Sequence, residues 1–175
     1  MRDDYSPGTE YGLPATTFVH KWANIAGIVT CGEHCRIDAF VTITGSVTLG
    51  DRVHIGVGAA LFGTAGITVM AGTSISPGAK IFSTSEDVHS PLTSNPRAVD
   101  RATIYSPVRI GKCAVGGANA VVLPGAIIGH GAVVAALTVV PAGRTVADNT
   151  VVRGERTLIE RTRELVNIRR ALGGQ

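Results

Sequence analysis

Hydrophobic positions along the chain recur every six residues. Through IGKCAVGGANAVVLPGAIIGHGAVVAALTVV, residues 110–140, Ile110, Val122, Ile128, Val134 and Val140 share one phase, Val146 extends it, and Gly116 is its only non-aliphatic occupant. Four places after each comes a small residue: Ala114, Ala120, Ala126, Ala132 and Thr138. An earlier run has the same form, with Ile37, Ile43, Leu49, Ile55, Leu61 and Ile67 partnered by Val41, Val47, Val53, Ala59 and Ala65. The register then slips by two and resumes at Val69, Ile75 and Ile81, which reads as a local insertion at one corner near residues 63–66.

A strict period of six fits neither a lone helix, at 3.6, nor an alternating strand, at 2. It fits a three-sided solenoid in which each hexad is a short strand plus a turn and three hexads close one coil. The aliphatic residue points to the prism axis and the small one lies beneath the next coil. Glycines at Gly111, Gly117 and Gly129 are expected to supply corners with φ > 0. Successive coils then pair as parallel strands about 4.8 Å apart.

Three segments fall outside the period. Residues 1–27 have no six-residue phase and read as an N-terminal cap in which Phe18, Val19 and Trp22 cover the first coil. The solenoid is expected over residues 28–151. Within it, residues 82–107 break the repeat as an extended loop, and a long irregular segment inside a repeat fold is usually functional. Residues 152–175 read as a C-terminal helix, with Leu158, Leu165, Ile168 and Leu172 as its apolar stripe and Gly173–Gly174 as its stop. Such a helix would protect the open end of the sheet.

Composition narrows the class. The chain is 45% hydrophobic but only 5% aromatic, which suits a narrow prism filled by Ile, Val, Leu and Ala. No apolar run reaches the roughly 20 residues that span a bilayer, and the N-terminus is polar without a signal-peptide core, so a cytoplasmic protein is expected. Cys31, Cys35 and Cys113 are too scattered for a disulfide framework. Cys31 and Cys35 bracket His34, but zinc wants four ligands, and these residues read as repeat-filling, with no metal. The net charge of +3 comes largely from C-terminal arginines without aromatic interleaving. That argues against a nucleic-acid partner and is compatible with an anionic ligand.

The segment GANAVVLPGAIIGHGAVV resembles the hexapeptide-repeat acyltransferases, whose fold is a left-handed parallel β-helix. RIDAFVTITGSVTLGDRVHIGVGAALFGTAGI resembles the subgroup that acetylates sugars of surface polysaccharides. The resemblance implies a homotrimer, acetyl-CoA as co-substrate and a sugar acceptor that is free, nucleotide-linked or lipid-linked. It places CoA along the backbone of Gly117 and Ala118 in one coil and Ala135 and Ala136 in the next. Relatives carry Thr-Lys where this chain has Pro141-Ala142, so Arg144, Arg153 or Arg156 is expected to hold the phosphates.

Acyl transfer needs a base for the acceptor proton, and histidine suits that task near neutral pH. The family's base is a loop histidine, which implies His89, oriented by Asp87 or Glu86. His54 is the alternative, either as base or, with Asp38, as an acceptor contact. His20 and His34 lie in the poorly phased start, and His130 occupies an exposed turn. The expected function is acetyl-CoA-dependent O-acetylation of a sugar hydroxyl by direct attack, with no cysteine nucleophile. N-acetylation of an amino sugar and a non-catalytic scaffold stand as alternatives. A carbonic anhydrase of the same prism shape needs a close pair of loop histidines, and His89 stands alone between His54 and His130.

Overall fold

A computed structural model of the chain describes residues 4–87, 102–154 and 157–159. The backbone winds as an all-β parallel solenoid. Face 1 stacks seven parallel rungs: Phe18–His20, Arg36–Ile37, His54–Ile55, Ser74–Ile75, Val115–Gly116, Val133–Val134 and Val151–Arg153. The early strands Asn24–Cys31, Thr42–Leu49 and Ala60–Val69 run on around one corner and so supply both other faces. Later coils divide that path. Lys80–Phe82, Val121–Val122 and Val139–Val140 continue face 2, while Val108–Ile110, Ile127–Ile128 and Thr145–Val146 continue face 3.

One coil takes 18 residues, since Arg36 pairs with His54 and Val115 with Val133. The aliphatic phase fills the axis as expected, with Ile37, Ile43, Leu49, Ile55 and Leu61 at most 2% exposed. Each such burial is worth about 1.5–3 kcal/mol. The small-residue phase is buried beside it: Ala114, Ala126 and Ala132 have no exposed surface.

The insertion lies where the register places it. Gly45 pairs with Gly63 and Val47 with Ile67, so two extra residues bulge between Gly63 and Ile67, and Ile67 takes the slot that Val47 holds one coil earlier. Glycine at the head of each turn has a different reason from the one expected. Gly111, Gly117 and Gly129 do not adopt positive φ; the left-handed residues sit two places later, at Cys113, Asn119 and Gly131. What the glycines provide is close approach between coils. A Cβ on Gly117 would stand 2.4 Å from Ala136 N, and one on Gly111 2.6 Å from His130 N.

Four expectations need correction. The solenoid starts earlier than residue 28, because Phe18–His20 is already a parallel rung with Val19 buried on the axis. Phe18 and Trp22 do not cap it: they are 55% and 57% exposed, and the end is closed by the strand Tyr5–Pro7, the 3-10 turn Gly8–Tyr11 and buried Leu13. The segment 82–107 is not wholly irregular. Phe82 completes a face 2 rung, and Thr84–Glu86 pairs antiparallel with Thr103–Tyr105 to form a ribbon rooted at the corner between faces 2 and 3. Ser83, fully buried, ties that root to the bulge by accepting from Ala65 N at 2.8 Å and donating to Phe62 O at 3.0 Å. Finally, the helix does not begin after Val151. Thr157–Ile159 folds back antiparallel on Val151–Arg153, with Gly154 at φ 72° opening the turn. β-Branched Val151, Val152, Thr157 and Ile159 favour strand, and the last rung offers unpaired backbone groups that a strand can satisfy. Leu165, Ile168 and Leu172 lie outside the described residues.

Candidate active site

The edge joining face 1 to face 2 gathers chemistry from distant parts of the sequence. Two places after each outward residue of face 1 stand His20, Asp38, Gly56, Ser76, Gly117, Ala135 and Arg153, so they form a single column along this edge. The coils are locked here by backbone bonds: Asp38 N donates to Ile55 O, Ser76 N to Gly116 O, Gly117 N to Val134 O and Ala135 N to Val152 O. At about 4.8 Å per rung, Gly117 lies about 14 Å from Asp38 and Arg153 about 24 Å from it.

Asp38 is the centre of a polar cluster, with its side chain only 8% exposed. Oδ1 accepts from Tyr5 Oη at 2.7 Å and Arg36 Nε at 2.6 Å, and Oδ2 lies 2.8 Å from His54 Nε2. Arg36 Nη2 also donates to Tyr5 Oη at 2.9 Å. Burial pushes the Asp38 carboxyl up, but the hydrogen bonds from Tyr5, His54 and Arg36 outweigh it and hold the group below the usual carboxylate range. Burial and the neighbouring carboxylate push the Tyr5 phenol up.

An ionised carboxylate only accepts, so His54 Nε2 is the donor in this pair. In the neutral ring the lone pair then sits on Nδ1. His54 faces outward with 42% of its side chain exposed, and Nδ1 has no hydrogen-bond partner among the described residues. A histidine held in one tautomer by a buried carboxylate is the arrangement that suits a general base. On the Tyr5 and Arg36 side of the cluster opens a pocket of about 910 Å3 lined by Asp4, Tyr5, Phe18, His20, Arg36, Ala39 and Val57. The walls are mainly apolar, and Asp4, His20 and the cluster's Tyr5 and Arg36 supply the polar groups.

The structure thus joins Asp38 to His54 and places both on the same edge as Gly117, Ala118, Ala135, Ala136 and Arg153. Leu137 N donates to Ala118 O, which keeps the 117–118 and 135–136 turns in register. Arg144 is not on this edge: its carbonyl accepts from Ile127 N at the start of face 3. Glu86 and Asp87 belong to the ribbon at the other end of face 2, away from Asp38 and His54 within one chain. His89 and Arg156 lie outside the described residues.

His130 is exposed and structural: its Nδ1 accepts from Lys112 N at 2.9 Å, and its own N–H donates to Asp148 Oδ1 at 2.7 Å. Among the described residues no group of three or more His, Cys, Asp or Glu is placed to hold a metal ion, and no helix is long and apolar enough to cross a membrane. Tyr5 and Arg36 were not singled out from the sequence. Arg36 could have been found from the 18-residue coil, which stacks it under His54; Tyr5 leaves no periodic signal.

No protein-family model and no curated protein matches the chain. Solved structures do match. AntD, an N-acyltransferase from Bacillus cereus, in complex with dTDP and 3-hydroxybutyryl-CoA, superposes with a TM-score of 0.84 at 22% identity, covering 97% of this chain and 96% of that chain. A variant of AntD in complex with dTDP-4-amino-4,6-dideoxyglucose and coenzyme A gives 0.86 at 22% identity, covering 97% of both. The acetyltransferase domain of PglB from Neisseria gonorrhoeae, in complex with acetyl coenzyme A, gives 0.59 at 19% identity over 79% of this chain and 55% of that one. The chain therefore shares the solenoid fold of AntD along almost its whole length.

Proposed function

We propose that the protein is an acyl-CoA-dependent sugar acyltransferase. The observation that carries this reading is the Asp38–His54 pair near one end of an edge that runs on through Gly56, Ser76, Gly117 and Ala135 to Arg153. Small side chains at Gly117, Ala118, Ala135 and Ala136 leave backbone accessible to an extended thioester arm. Arg153 at the far end suits phosphate. His54 Nδ1 takes the proton as the acceptor oxygen or nitrogen attacks the thioester carbonyl. The imidazolium returns that proton to the departing CoA thiolate, so no covalent acyl-enzyme is involved.

AntD acts as an N-acyltransferase and is seen with a dTDP-linked amino sugar. That supports an amine on a nucleotide-linked sugar as the first acceptor to test, ahead of the sugar hydroxyl suggested by the sequence resemblance. A cytoplasmic homotrimer belongs to the same reading, with a mass by light scattering as its check. The sequence resemblance implies that in such a trimer the segment 82–107 of one copy reaches the cleft with its neighbour, so His89 is the competing base.

The test is thiol release from acetyl-CoA in the presence of free, nucleotide-linked amino and nucleotide-linked hydroxyl sugars. His54→Ala should lower turnover at least about a hundredfold while acetyl-CoA affinity by calorimetry changes little. Turnover kept in His54→Ala and lost in His89→Ala would move the base to the ribbon. A protein that neither binds acetyl-CoA at millimolar concentration nor transfers to any sugar would be a scaffold.

A further inference from the structure

We infer that Tyr5, from the strand that closes the end of the solenoid, is a positioning residue for the Asp38–His54 pair. The inference rests on the acyltransfer reading for its kinetic readout alone. The geometry is specific. Tyr5–Pro7 pairs antiparallel with Phe18–His20, which sets Tyr5 opposite His20, one rung before Asp38 in the edge column. From there its ring packs edge-on against His20, at 4.9 Å between centroids, and its hydroxyl passes that rung to reach Asp38 Oδ1.

That bond determines which oxygen is left for His54. Oδ1 is filled by the Tyr5 hydroxyl and Arg36 Nε, which leaves Oδ2 to accept from His54 Nε2. The hydroxyl is itself held by Arg36 Nη2, so its one proton is directed at the carboxylate. The guanidinium also lies over the Tyr5 ring, 5.1 Å from its centroid. A closed ring of bonds, Tyr5 to Asp38 to Arg36 and back to Tyr5, therefore fixes the carboxylate plane that orients His54. Tyr5, Arg36 and His54 are the groups that face Asp38, coming from the N-terminal strand, its own coil and the next coil.

Removing the hydroxyl leaves Oδ1 with one donor fewer. The carboxylate then carries more unshared charge, accepts more strongly from His54 and favours the imidazolium, so the histidine holds its proton to higher pH. The experiment is an NMR titration of the His54 ring in the full-length protein and in Tyr5→Phe, together with the pH profile of kcat. Tyr5→Phe should raise the His54 midpoint, move the acid limb of kcat the same way, and lower kcat severalfold with KM for acetyl-CoA unchanged.

Lys21→Gln separates positioning from mere loosening. It cuts the 2.6 Å Lys21–Asp4 ion pair beside the same strand without touching Asp38, and should leave the His54 titration in place. An unshifted His54 in Tyr5→Phe overturns the inference, and so does an equal shift in Lys21→Gln. A shift confined to Tyr5→Phe in a protein that transfers no acyl group would uphold the clasp and remove the acyltransfer reading.

Discussion

Replacing Asp38 by Asn tests the tautomer argument with little change of shape. The asparagine has one acceptor oxygen and one NH2 donor in place of two acceptor oxygens. Arg36 Nε lies 2.6 Å from Oδ1 and can only donate, so the amide oxygen must stay on that side. The NH2 then faces His54 Nε2, where two donors meet. The neutral imidazole relieves this by moving its proton to Nδ1 and accepting at Nε2. Nδ1, the atom proposed to take the acceptor proton, is thereby occupied.

The structural cost is small. The Tyr5 bond to Oδ1 changes from charge-assisted to neutral, a loss of about 1 kcal/mol, and the Arg36 bond loses its ion-pair part, which costs less because that side chain is 56% exposed. A total below about 2 kcal/mol leaves a domain of 5–15 kcal/mol folded. The functional cost is that of a mis-set base, about 10²- to 10⁴-fold in turnover; the same exchange in a Ser-His-Asp triad costs about 10⁴-fold. Thiol release gives the rate, and nitrogen shifts of the His54 ring give the tautomer directly. A folded Asp38→Asn protein with turnover within about fivefold of wild type, or one whose His54 still carries its proton on Nε2, refutes the reasoning.

Other consequences are open to simpler measurements. Gly116 has ordinary strand backbone and borders an axial void of about 10 Å3, and an added Cβ would meet the flexible end of Ile75 at 3.3 Å and Ile75 Cα at an ordinary 3.9 Å. Gly116→Ala should therefore raise stability by about 0.4–1 kcal/mol in denaturant unfolding. Gly117→Ala should do the reverse, because its Cβ would meet backbone of residues 134–136 at 2.4–2.6 Å; a loss of about 1–3 kcal/mol is expected. Asp38 is held below its ordinary value in the folded state, so its contribution is present above the usual carboxylate range and lost as pH falls through the folded value. Wild-type stability should drop more steeply than that of Asp38→Asn below about pH 4. Burial pushes the Cys35 thiol up to about 11, whereas Cys113 is exposed. A thiol reagent at pH 8 should modify Cys113 in the native protein and Cys35 only on unfolding.

How much of this could be read from the residues follows from what a period can carry. The aliphatic and small-residue phases report the axis and the layer beneath each turn, so the solenoid, the buried set and the two-residue insertion were all legible. The first coil was not, because only Val19, Ile25 and Cys31 mark its axial phase and two of the three are partly exposed. The C-terminal heptad-like spacing of leucines misled because its first member, Leu158, lies in a strand that the open rung recruits by backbone pairing, a tertiary effect that periodicity does not register.

The site shows the same limit at finer grain. Asp38 and His54 are 16 residues apart, two short of a full coil, and that offset puts the carboxylate one turn position beyond the strand and the imidazole on the next rung, close enough to reach back. Once the coil length is known, any pair at 16 or 18 residues is a candidate contact, and the Arg36–Asp38–His54 set follows from arithmetic. Tyr5 does not, since it arrives by an antiparallel return that obeys no repeat. The repeat builds a rigid edge on which side chains are placed at fixed intervals, and the non-repeating end closes the hydrogen-bond ring that orients one of them. Under the proposed function, substitutions along the edge column should therefore act by rung, altering acyl-donor binding near Gly117, Ala135 and Arg153 independently of proton transfer near Asp38, whereas changes in residues 4–7 should act on proton transfer alone.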